Sequence, residues 1–309
     1  MTNLLNTLPK HPSKIGWPWN KETNPLLYSD RKHWPKITIV TPSYNQGMFI
    51  EETIRSILLQ NYPNLEYIVV DGNSTDNTIE ILKKYNDWIT YWISEDDEGQ
   101  SDAINKGINI ATGDLFNWIN SDDILAENSL LSLASYFSES TDVHLMNLSI
   151  ANVDTSNIVY SYRQKIADNV SDTLVDHLIA QPSTFYKLSI INKIGGIASD
   201  FHFVMDLFLW VRYLLEYGQE HIINNPNLGA IYREHQNTKT KLLTKDFEKE
   251  TLEVFRFTYL MLKRKKHKCK TSLIKFTNFE VGLTEEEKRK IIKSIRQRHY
   301  FLFKKNLLH

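Results

Sequence analysis

The sequence predicts an α/β fold with a mainly parallel central sheet flanked by helices, and three observations carry this prediction. Between residues 36 and 120, runs rich in β-branched and aromatic residues alternate with segments whose apolar residues recur at helical spacing. Strands that alternate with helices of this length form right-handed βαβ units, and therefore parallel pairs. The chain of 309 residues is long enough for one large domain or two.

The elements follow one another in a regular order. The predicted strands are short β-branched runs bounded by polar residues, and they are 36–42, 64–71, 89–94 and 115–120. The predicted helices have apolar residues three or four positions apart, and they are 49–60, 75–85 and 101–111. We expect Gly113 to end the third helix as its C′ residue.

Composition excludes several classes of protein. Hydrophobic residues make up 41% and charged residues 24%, which is typical of soluble globular proteins. The single cysteine, Cys269, excludes a disulfide framework and a zinc site of several thiolates, as expected in a reducing cytoplasm. The N-terminal segment has no apolar stretch of the kind found in secretory signals, and no stretch is long enough to cross a bilayer. We therefore expect a cytoplasmic protein.

Charge and composition divide the chain into three parts. Residues 1–35 are rich in Pro, Asn and Trp and read as an irregular arm, residues 36–245 form the α/β domain, and residues 246–309 form a basic helical extension. From Arg256 to the end there are 16 Lys and Arg against 4 Asp and Glu. Two hypotheses account for this tail: it docks on the inner face of an anionic membrane, or it packs on the acidic remainder of the chain. Nucleic acid is not an expected partner.

Polar residues cluster where each predicted strand ends, at 42–45, 71–74, 94–97 and 121–123. Ligands of parallel sheets bind at the carboxyl ends of the strands, so this rim is the predicted site. The chain lacks the glycine motifs that hold phosphates on a helix N-terminus. Adjacent Asp122 and Asp123 instead suggest a divalent cation, Mn²⁺ or Mg²⁺, that carries a diphosphate. The alternative is that this pair caps the next helix.

The segment from Lys36 to about Leu125 resembles the catalytic domain of glycosyltransferase family 2, which has the GT-A fold. The resemblance is carried by ITIVTPSYNQG, IVVDGNSTDNT, EDDEGQSDAINKGINIATGD and NSDD, and continues more weakly through QPSTFY, VMDLFLWVRY and YREHQNTKT. It implies inverting transfer of a sugar from a nucleotide diphosphate sugar to a hydroxyl of a glycan or lipid-linked acceptor, as in polysaccharide biosynthesis.

The resemblance also implies roles for individual residues. The residues expected to line the nucleotide and sugar are Pro42, Tyr44, Asp71, Asp97, Asp102, Lys106 and Asp122. The metal would be held by Asp123 as the stronger direct ligand, by Asp122, which contacts ribose or metal, and by His235. Several of these residues could instead have a purely structural role. Pro42 and Tyr44 could pack at the strand end, Asp71 could form an Asx-turn, and Lys106 could lie on a solvated helix face.

Asp206 corresponds to the family's general base, and Gln181 lies in the strand that borders the acceptor pocket in relatives. Asp206 begins a helical stripe with Trp210, Tyr213 and Tyr217, and it could equally cap the first turn of that helix. The family often has a second acid two residues further on, where this chain has Phe208. Two other functions stay open: a nucleotidyltransferase that makes nucleotide sugars, and a catalytically inactive nucleotide-sugar-binding module.

Overall fold

The computed structural model describes residues 3–137, 143–154, 157–162, 165–175, 180–235, 244–262, 284–286 and 288–293. The chain forms two compact units, the first made of residues 1–164, 180–193 and 222–235, and the second of residues 165–179, 194–221 and 236–309. Most of the predicted basic extension beyond residue 262 lies outside the described residues. No helix in the described ranges is both long enough and apolar enough to span a membrane.

The first unit is built on a mixed sheet whose strand order is β3-β2-β1-β4-β8-β6-β9-β5, with β7 paired to β6. The strands are β1 Ile37–Ser43, β2 Leu65–Asp71, β3 Tyr91–Ser94, β4 Leu115–Trp118, β5 Ile124–Leu125, β6 Leu145–Asp154, β7 Asn157–Tyr162, β8 Thr184–Lys187 and β9 Ile222–Glu234.

The predicted α/β fold is confirmed, and the four predicted strands form one parallel block. β1 pairs in parallel with β2 and with β4, and β2 pairs in parallel with β3. The register places Ser43 opposite Asp71 and Asp71 opposite Ser94, so the carboxyl ends of three strands meet at one edge. The other half of the sheet is largely antiparallel, because β8 runs against both β4 and β6, and β5 runs against β9.

Helices cover the connections between the strands. They are α1 Leu4–Thr7, α2 Ile50–Leu58, α3 Thr78–Lys84, α4 Gln100–Ile110, α5 Ser129–Phe137, α6 Val170–Val175, α7 Leu188–Ile194, α8 Met205–Tyr217 and α9 Thr244–Leu262. The three predicted helices correspond to α2, α3 and α4, each shorter than predicted at one or both ends.

The expected role of Gly113 as a C′ glycine is wrong. Helix α4 ends at Ile110, and its C-cap residue Ala111 already has an extended backbone. Gly113 is instead required by close packing against β1, because a Cβ at this position would lie 2.8 Å from the backbone nitrogen of Thr38. The local pattern was that of a helix end, but the contact that selects glycine is made with a distant strand.

The core of the first unit encloses β1, all of whose residues are buried. The fully buried Ile50, Ile54 and Ile57 of α2 belong to the same core cluster as Ile37 and Ile39 of β1. Strands covered on both faces read as continuous apolar runs, which is why the sequence pattern identified β1 so readily.

The N-terminal arm is fixed to α2 by the buried side chain of Arg55. Its guanidinium donates hydrogen bonds to the backbone carbonyls of Pro9 at 2.9 Å, Pro18 at 3.1 Å and Trp19 at 3.0 Å. A fourth bond at 3.1 Å joins it to the hydroxyl of Tyr85. The arm, although irregular, is therefore tied to the first unit through backbone groups.

The second unit is helical in its described part. Glu250 of α9 accepts hydrogen bonds from three consecutive backbone N–H groups, those of His202 at 3.0 Å, Phe203 at 2.8 Å and Val204 at 3.3 Å. These groups belong to the three residues that lead into α8. Glu250 therefore ties α9 to the start of the helix that carries Asp206.

Candidate functional site

Asp71 lies at the centre of the polar edge where β1, β2 and β3 end. The residue is fully buried, and its carboxylate accepts hydrogen bonds from the backbone N–H of Ser74 at 2.9 Å and from the hydroxyl of Ser94 at 2.7 Å. A further short bond comes from the hydroxyl of Ser74. These bonds form the turn after β2 and join it to β3. The contact of Asp71 with a base or ribose stays a prediction.

Tyr44 follows β1 and has an exposed side chain, with 62% of its surface accessible, whereas Pro42 beside it is buried. The backbone at this point is held by Asn45, which donates from its N–H to the hydroxyl of Ser74 at 2.7 Å. The side-chain oxygen of Asn45 accepts from the N–H of Thr75 at 2.9 Å. An exposed aromatic ring on a fixed backbone is suited to stacking on a flat ligand.

Asp97 lies close to the end of β2. Its carboxylate accepts from the N–H of Gly99 at 2.8 Å and packs so tightly on Gly72 that a Cβ there would lie 2.6 Å from Oδ2. Burial raises the pKa of Asp97, and the nearby charges of Asp102 and Asp71 act in the same direction. The structure therefore brings Asp97 and Asp71 together, as the rim prediction required.

Lys106, on α4, is engaged in contacts within its own neighbourhood. Its ammonium group lies 2.9 Å from Oε1 of Glu95 and 3.4 Å from Oδ2 of Asp102, and it donates to the carbonyl of Asp96 at 2.9 Å. The hydrogen bond that Lys106 donates to Glu95 is the main reason that the pKa of Lys106 is raised. Lys106 thus ties α4 to the loop after β3, and its contact with phosphate stays a prediction.

Asp122 and His235 form a pair at the far end of β4 and β9. Nε2 of His235 lies 3.1 Å from Oδ2 of Asp122, and the side chains are 16% and 24% exposed. Because β5 is antiparallel to β9, with Ile124 opposite Ile231, the residues before β5 meet those at the end of β9. The ring of Phe49 stacks on His235 with centroids 4.5 Å apart.

Asp123, by contrast, is fully buried and already has partners for both oxygens. Oδ1 accepts from the backbone N–H of Arg233 at 3.4 Å, and Oδ2 accepts from the amide of Asn120 at 3.2 Å. Burial and then the negative charge of Asp122 raise the pKa of Asp123 well above its ordinary value. Its contacts join the turn after β4 to β9. A role for Asp123 as direct metal ligand stays a prediction, and the partly exposed Asp122 is better placed for that role.

The alternative that this acidic pair caps the next helix is wrong. Helix α5 begins at Ser129, and β5 lies between the pair and that helix.

Asp122 and His235 together fit a divalent cation. A carboxylate oxygen of Asp122 and an imidazole nitrogen of His235 lie 3.1 Å apart, and both are ligands used for Mn²⁺. Within the described residues no group of three or more His, Cys, Asp or Glu side chains is arranged to hold a metal. Two protein ligands are nevertheless enough for a cation whose remaining positions are filled by substrate phosphates and water.

Gln181 is buried in the short turn before β8. Its amide nitrogen donates to the carbonyl of Trp118 at 2.7 Å and to the side-chain oxygen of Asn117 at 3.2 Å. The side chain therefore joins this turn to the end of β4, and its contact with an acceptor stays a prediction.

Asp206 occupies the first turn of α8 in the second unit. Its Oδ1 accepts from the backbone N–H of Leu207 at 2.8 Å, and burial raises its pKa to about 6. A carboxylate with this pKa can take up and release a proton near neutral pH. Phe208 is fully buried and packs on the rings of Phe201 and Phe257, so it is a core residue.

Three residues near the Asp122 pair, Arg233, Glu52 and Phe49, were missed by the sequence analysis. Arg233 pairs through Nη1 with Oε2 of Glu52 at 2.9 Å, and its guanidinium lies over the ring of Phe49, 5.1 Å from the centroid. Arg233 stands two residues before His235, in a segment that the analysis had already singled out. That proximity was the available signal.

A family model described as "Glycosyl transferase family 2" matches residues 38–205, which is more than half of the chain. The glycosyltransferase GlyG of Streptococcus pneumoniae is 37% identical over 100 residues, which cover 31% of this chain and 33% of GlyG. The chain thus matches about a third of the length of this relative.

Solved structures share the fold. TarS of S. aureus in complex with UDP-GlcNAc superposes with a TM-score of 0.64 at 17% identity, over 86% of this chain and 72% of that one. The mannosyltransferase PcManGT from Pyrobaculum calidifontis, in complex with GDP-Man and Mn²⁺, gives a TM-score of 0.55 at 15% identity, over 92% of this chain and 77% of that one. The family match includes the ends of β1, β2 and β3, which form the polar edge. Because the match covers more than half of the chain, the chain belongs to glycosyltransferase family 2.

Proposed function

We propose that this chain transfers a sugar from a nucleoside diphosphate donor to a hydroxyl group of a glycan or lipid-linked acceptor, with a divalent cation and with inversion at the anomeric carbon. The observation that carries the proposal is the pairing of Asp122 with His235 at the end of the polar strand edge. A cation at this pair would lie where the donor's diphosphate must be neutralised before it can leave.

Asp122 and His235 are the proposed cation ligands, and Asp123 supports them by holding the turn before β5. When bound, Mn²⁺ or Mg²⁺ would offset the negative charge of the diphosphate. PcManGT, which has the same fold, has a solved structure in complex with GDP-Man and Mn²⁺. This agrees with the chemistry of the two ligands in the present chain.

The donor is proposed to lie along the edge formed by the ends of β1, β2 and β3. Tyr44 supplies an exposed ring for stacking on the base, and Pro42 beside it shapes the wall. Asp71 and Asp97 set the shape of the edge through their hydrogen bonds with the strand-end backbone, while Asp102 and Lys106 hold the loop after β3. Gln181, at the end of β4, is proposed to border the acceptor.

In the proposed reaction the acceptor hydroxyl oxygen forms a bond to the anomeric carbon on the face opposite the diphosphate. The bond between that carbon and the phosphate oxygen breaks, and the nucleoside diphosphate leaves with the electron pair. The hydroxyl proton passes to the carboxylate of Asp206. A pKa of about 6 supports this role, because Asp206 is then mostly ionised at neutral pH yet basic enough to accept a proton.

A panel of UDP-, GDP- and dTDP-sugars tests the proposal in two stages. Binding of a donor raises the melting temperature by mass action, so a thermal-shift screen with Mn²⁺ identifies the base and the sugar. Release of nucleoside diphosphate is then measured with the donor that binds. Binding without release, with water or with glycan acceptors, would indicate an inactive binding module, and formation of a nucleotide sugar from a nucleoside triphosphate and a sugar phosphate would indicate a nucleotidyltransferase.

A further inference from the structure

The guanidinium of Arg233 is paired on one side and lacks hydrogen-bond partners on the other among the described residues. Nη1 is paired with Glu52 at 2.9 Å, and the planar group lies over the ring of Phe49. Nε and Nη2 are buried, and neither has a hydrogen-bond partner among the residues that the structure describes. The side chain as a whole is 16% exposed, so part of it reaches the surface.

The side of the guanidinium without partners carries two parallel N–H groups. They are Nε–H and the adjacent N–H of Nη2, which lie in the guanidinium plane and point in the same direction. Two such groups match two oxygens of one phosphate or carboxylate. Buried donors without partners are costly, so a native chain that keeps two of them on a cation has a use for them when a ligand is bound.

The neighbours of Arg233 favour a phosphate, rather than a protein carboxylate, as the ligand of these two N–H groups. Phe49 touches both Arg233 and His235, and His235 touches Asp122, so the two N–H groups belong to the same cluster as the proposed cation ligands. Among the residues that the structure describes, the guanidinium pairs with one carboxylate, that of Glu52, and this pair engages Nη1. The carboxylate of Asp123 accepts from the backbone N–H of Arg233 and from the amide of Asn120.

We propose that Arg233 binds a phosphate group of the nucleoside diphosphate through Nε–H and Nη2–H, independently of the divalent cation. This inference rests on the proposed function, since it assigns a second positive group to the diphosphate of the same donor. Glu52 and Phe49 act as positioning residues: Glu52 fixes the far side of the guanidinium, and the ring of Phe49 fixes its plane.

The test compares Arg233→Lys, which keeps the charge but loses the two parallel N–H groups, with the wild-type chain. Arg31→Lys is a matched control, because Arg31 also lies over an aromatic ring, that of Trp34, and donates to a carbonyl, that of Ser135, but has no part in the cluster. Calorimetry measures the affinity of UDP, GDP and dTDP, of the corresponding nucleosides, and of inorganic pyrophosphate, in Mn²⁺ and separately in EDTA.

We expect Arg233→Lys to weaken binding of the nucleoside diphosphate and of pyrophosphate by about tenfold or more, the value of a charge-assisted hydrogen bond. The loss should be present in both buffers, nucleoside affinity should not change, and Arg31→Lys should bind as the wild type does. Circular dichroism and the melting temperature verify the fold, and Arg233→Gln provides a second variant if the lysine variant does not fold.

Three results would overturn the inference. Wild-type affinity for the diphosphate in a folded variant removes Arg233 from the phosphate. An equal loss for nucleoside and diphosphate indicates a structural role, and a loss confined to Mn²⁺ indicates that Arg233 acts only on the cation site. A wild-type chain that binds no nucleoside diphosphate would instead refute the proposed function itself, so the two failures are distinguishable.

Discussion

Asp206 carries a cost in stability that a single substitution should remove. Its pKa is raised by burial from 3.8 to about 6, so the folded chain holds the ionised carboxylate less favourably than the unfolded chain does. Asp206→Asn keeps the shape of the side chain, and its amide oxygen can still accept from the N–H of Leu207. The variant lacks only the charge, which is partly buried.

The size and the sign of the effect follow from linkage. A difference of about two pKa units corresponds to about 3 kcal/mol, which is an upper value because Asn is only an approximate copy of the neutral acid. Below about pH 4 the carboxyl is protonated in both states and the charge costs nothing. The cost grows as the pH rises from about 4 to about 6 and is fully present above that. Asp206→Asn should therefore be more stable than the wild type at pH 7.5, with a gain that disappears toward pH 4.

Urea unfolding at several pH values, followed by the fluorescence of tryptophans including Trp210 on the same helix, measures this difference. Glu253→Gln is a suitable control, because it removes an exposed acid from α9, a helix of the same unit. The reasoning is refuted if Asp206→Asn is no more stable than the wild type at pH 7.5, or if its gain is the same at every pH. Either result would mean that Asp206 is not held at a raised pKa.

The other predictions concern activity, the arm and the tail. Asp206→Asn should lower turnover by roughly two to four orders of magnitude with unchanged donor affinity. Wild-type kcat/KM should fall as the pH drops through about 6, and a pH series of nucleoside diphosphate release measures both effects. Turnover of Asp206→Asn within a few-fold of the wild type would place the base elsewhere. Arg55→Met should destabilise the first unit by about 3 kcal/mol or more, because three backbone carbonyls of the arm lose a buried charged donor. It should also make residues 1–35 sensitive to limited proteolysis. An arm that stays resistant to the protease would show that Arg55 does not hold it. The basic tail should carry the full chain onto anionic vesicles at low salt, whereas a chain ending after Leu262, the last residue of α9, should stay in solution; equal sedimentation of the two chains contradicts docking through the tail.

The sequence predicted those parts of the fold that depend on local patterns. Strand β1 is buried on both faces, so it appears as a continuous β-branched run, and the polar residues that follow each parallel strand identify the edge to which they belong. β5 could not be predicted in this way. It has only two residues and exists because it pairs with β9, more than a hundred positions along the chain.

Asp123 was predicted to be the stronger metal ligand, but the surroundings of the two adjacent aspartates depend on the same long-range pairing. Pairing of β5 with β9 brings the backbone N–H of Arg233 to Asp123 and the imidazole of His235 to Asp122. Burial of Asp123 follows from that long-range contact and has no local signal in the sequence. At Gly113 the local sequence gave a misleading signal, because it resembled a helix end. The requirement for glycine comes instead from close packing against Thr38.

The central claim is that Asp122 and His235 hold the divalent cation that carries the donor's diphosphate. Pulsed electron paramagnetic resonance of Mn²⁺ bound with a nucleoside diphosphate tests it most directly, because a coordinated imidazole nitrogen gives its own coupling to the metal. We expect this nitrogen coupling to be present in the wild type and lost in His235→Gln. Asp122→Ala should no longer bind Mn²⁺, while folded Asp123→Asn should still do so. A nitrogen coupling that persists in His235→Gln, or Mn²⁺ affinity that is lost in folded Asp123→Asn and kept in Asp122→Ala, would contradict it.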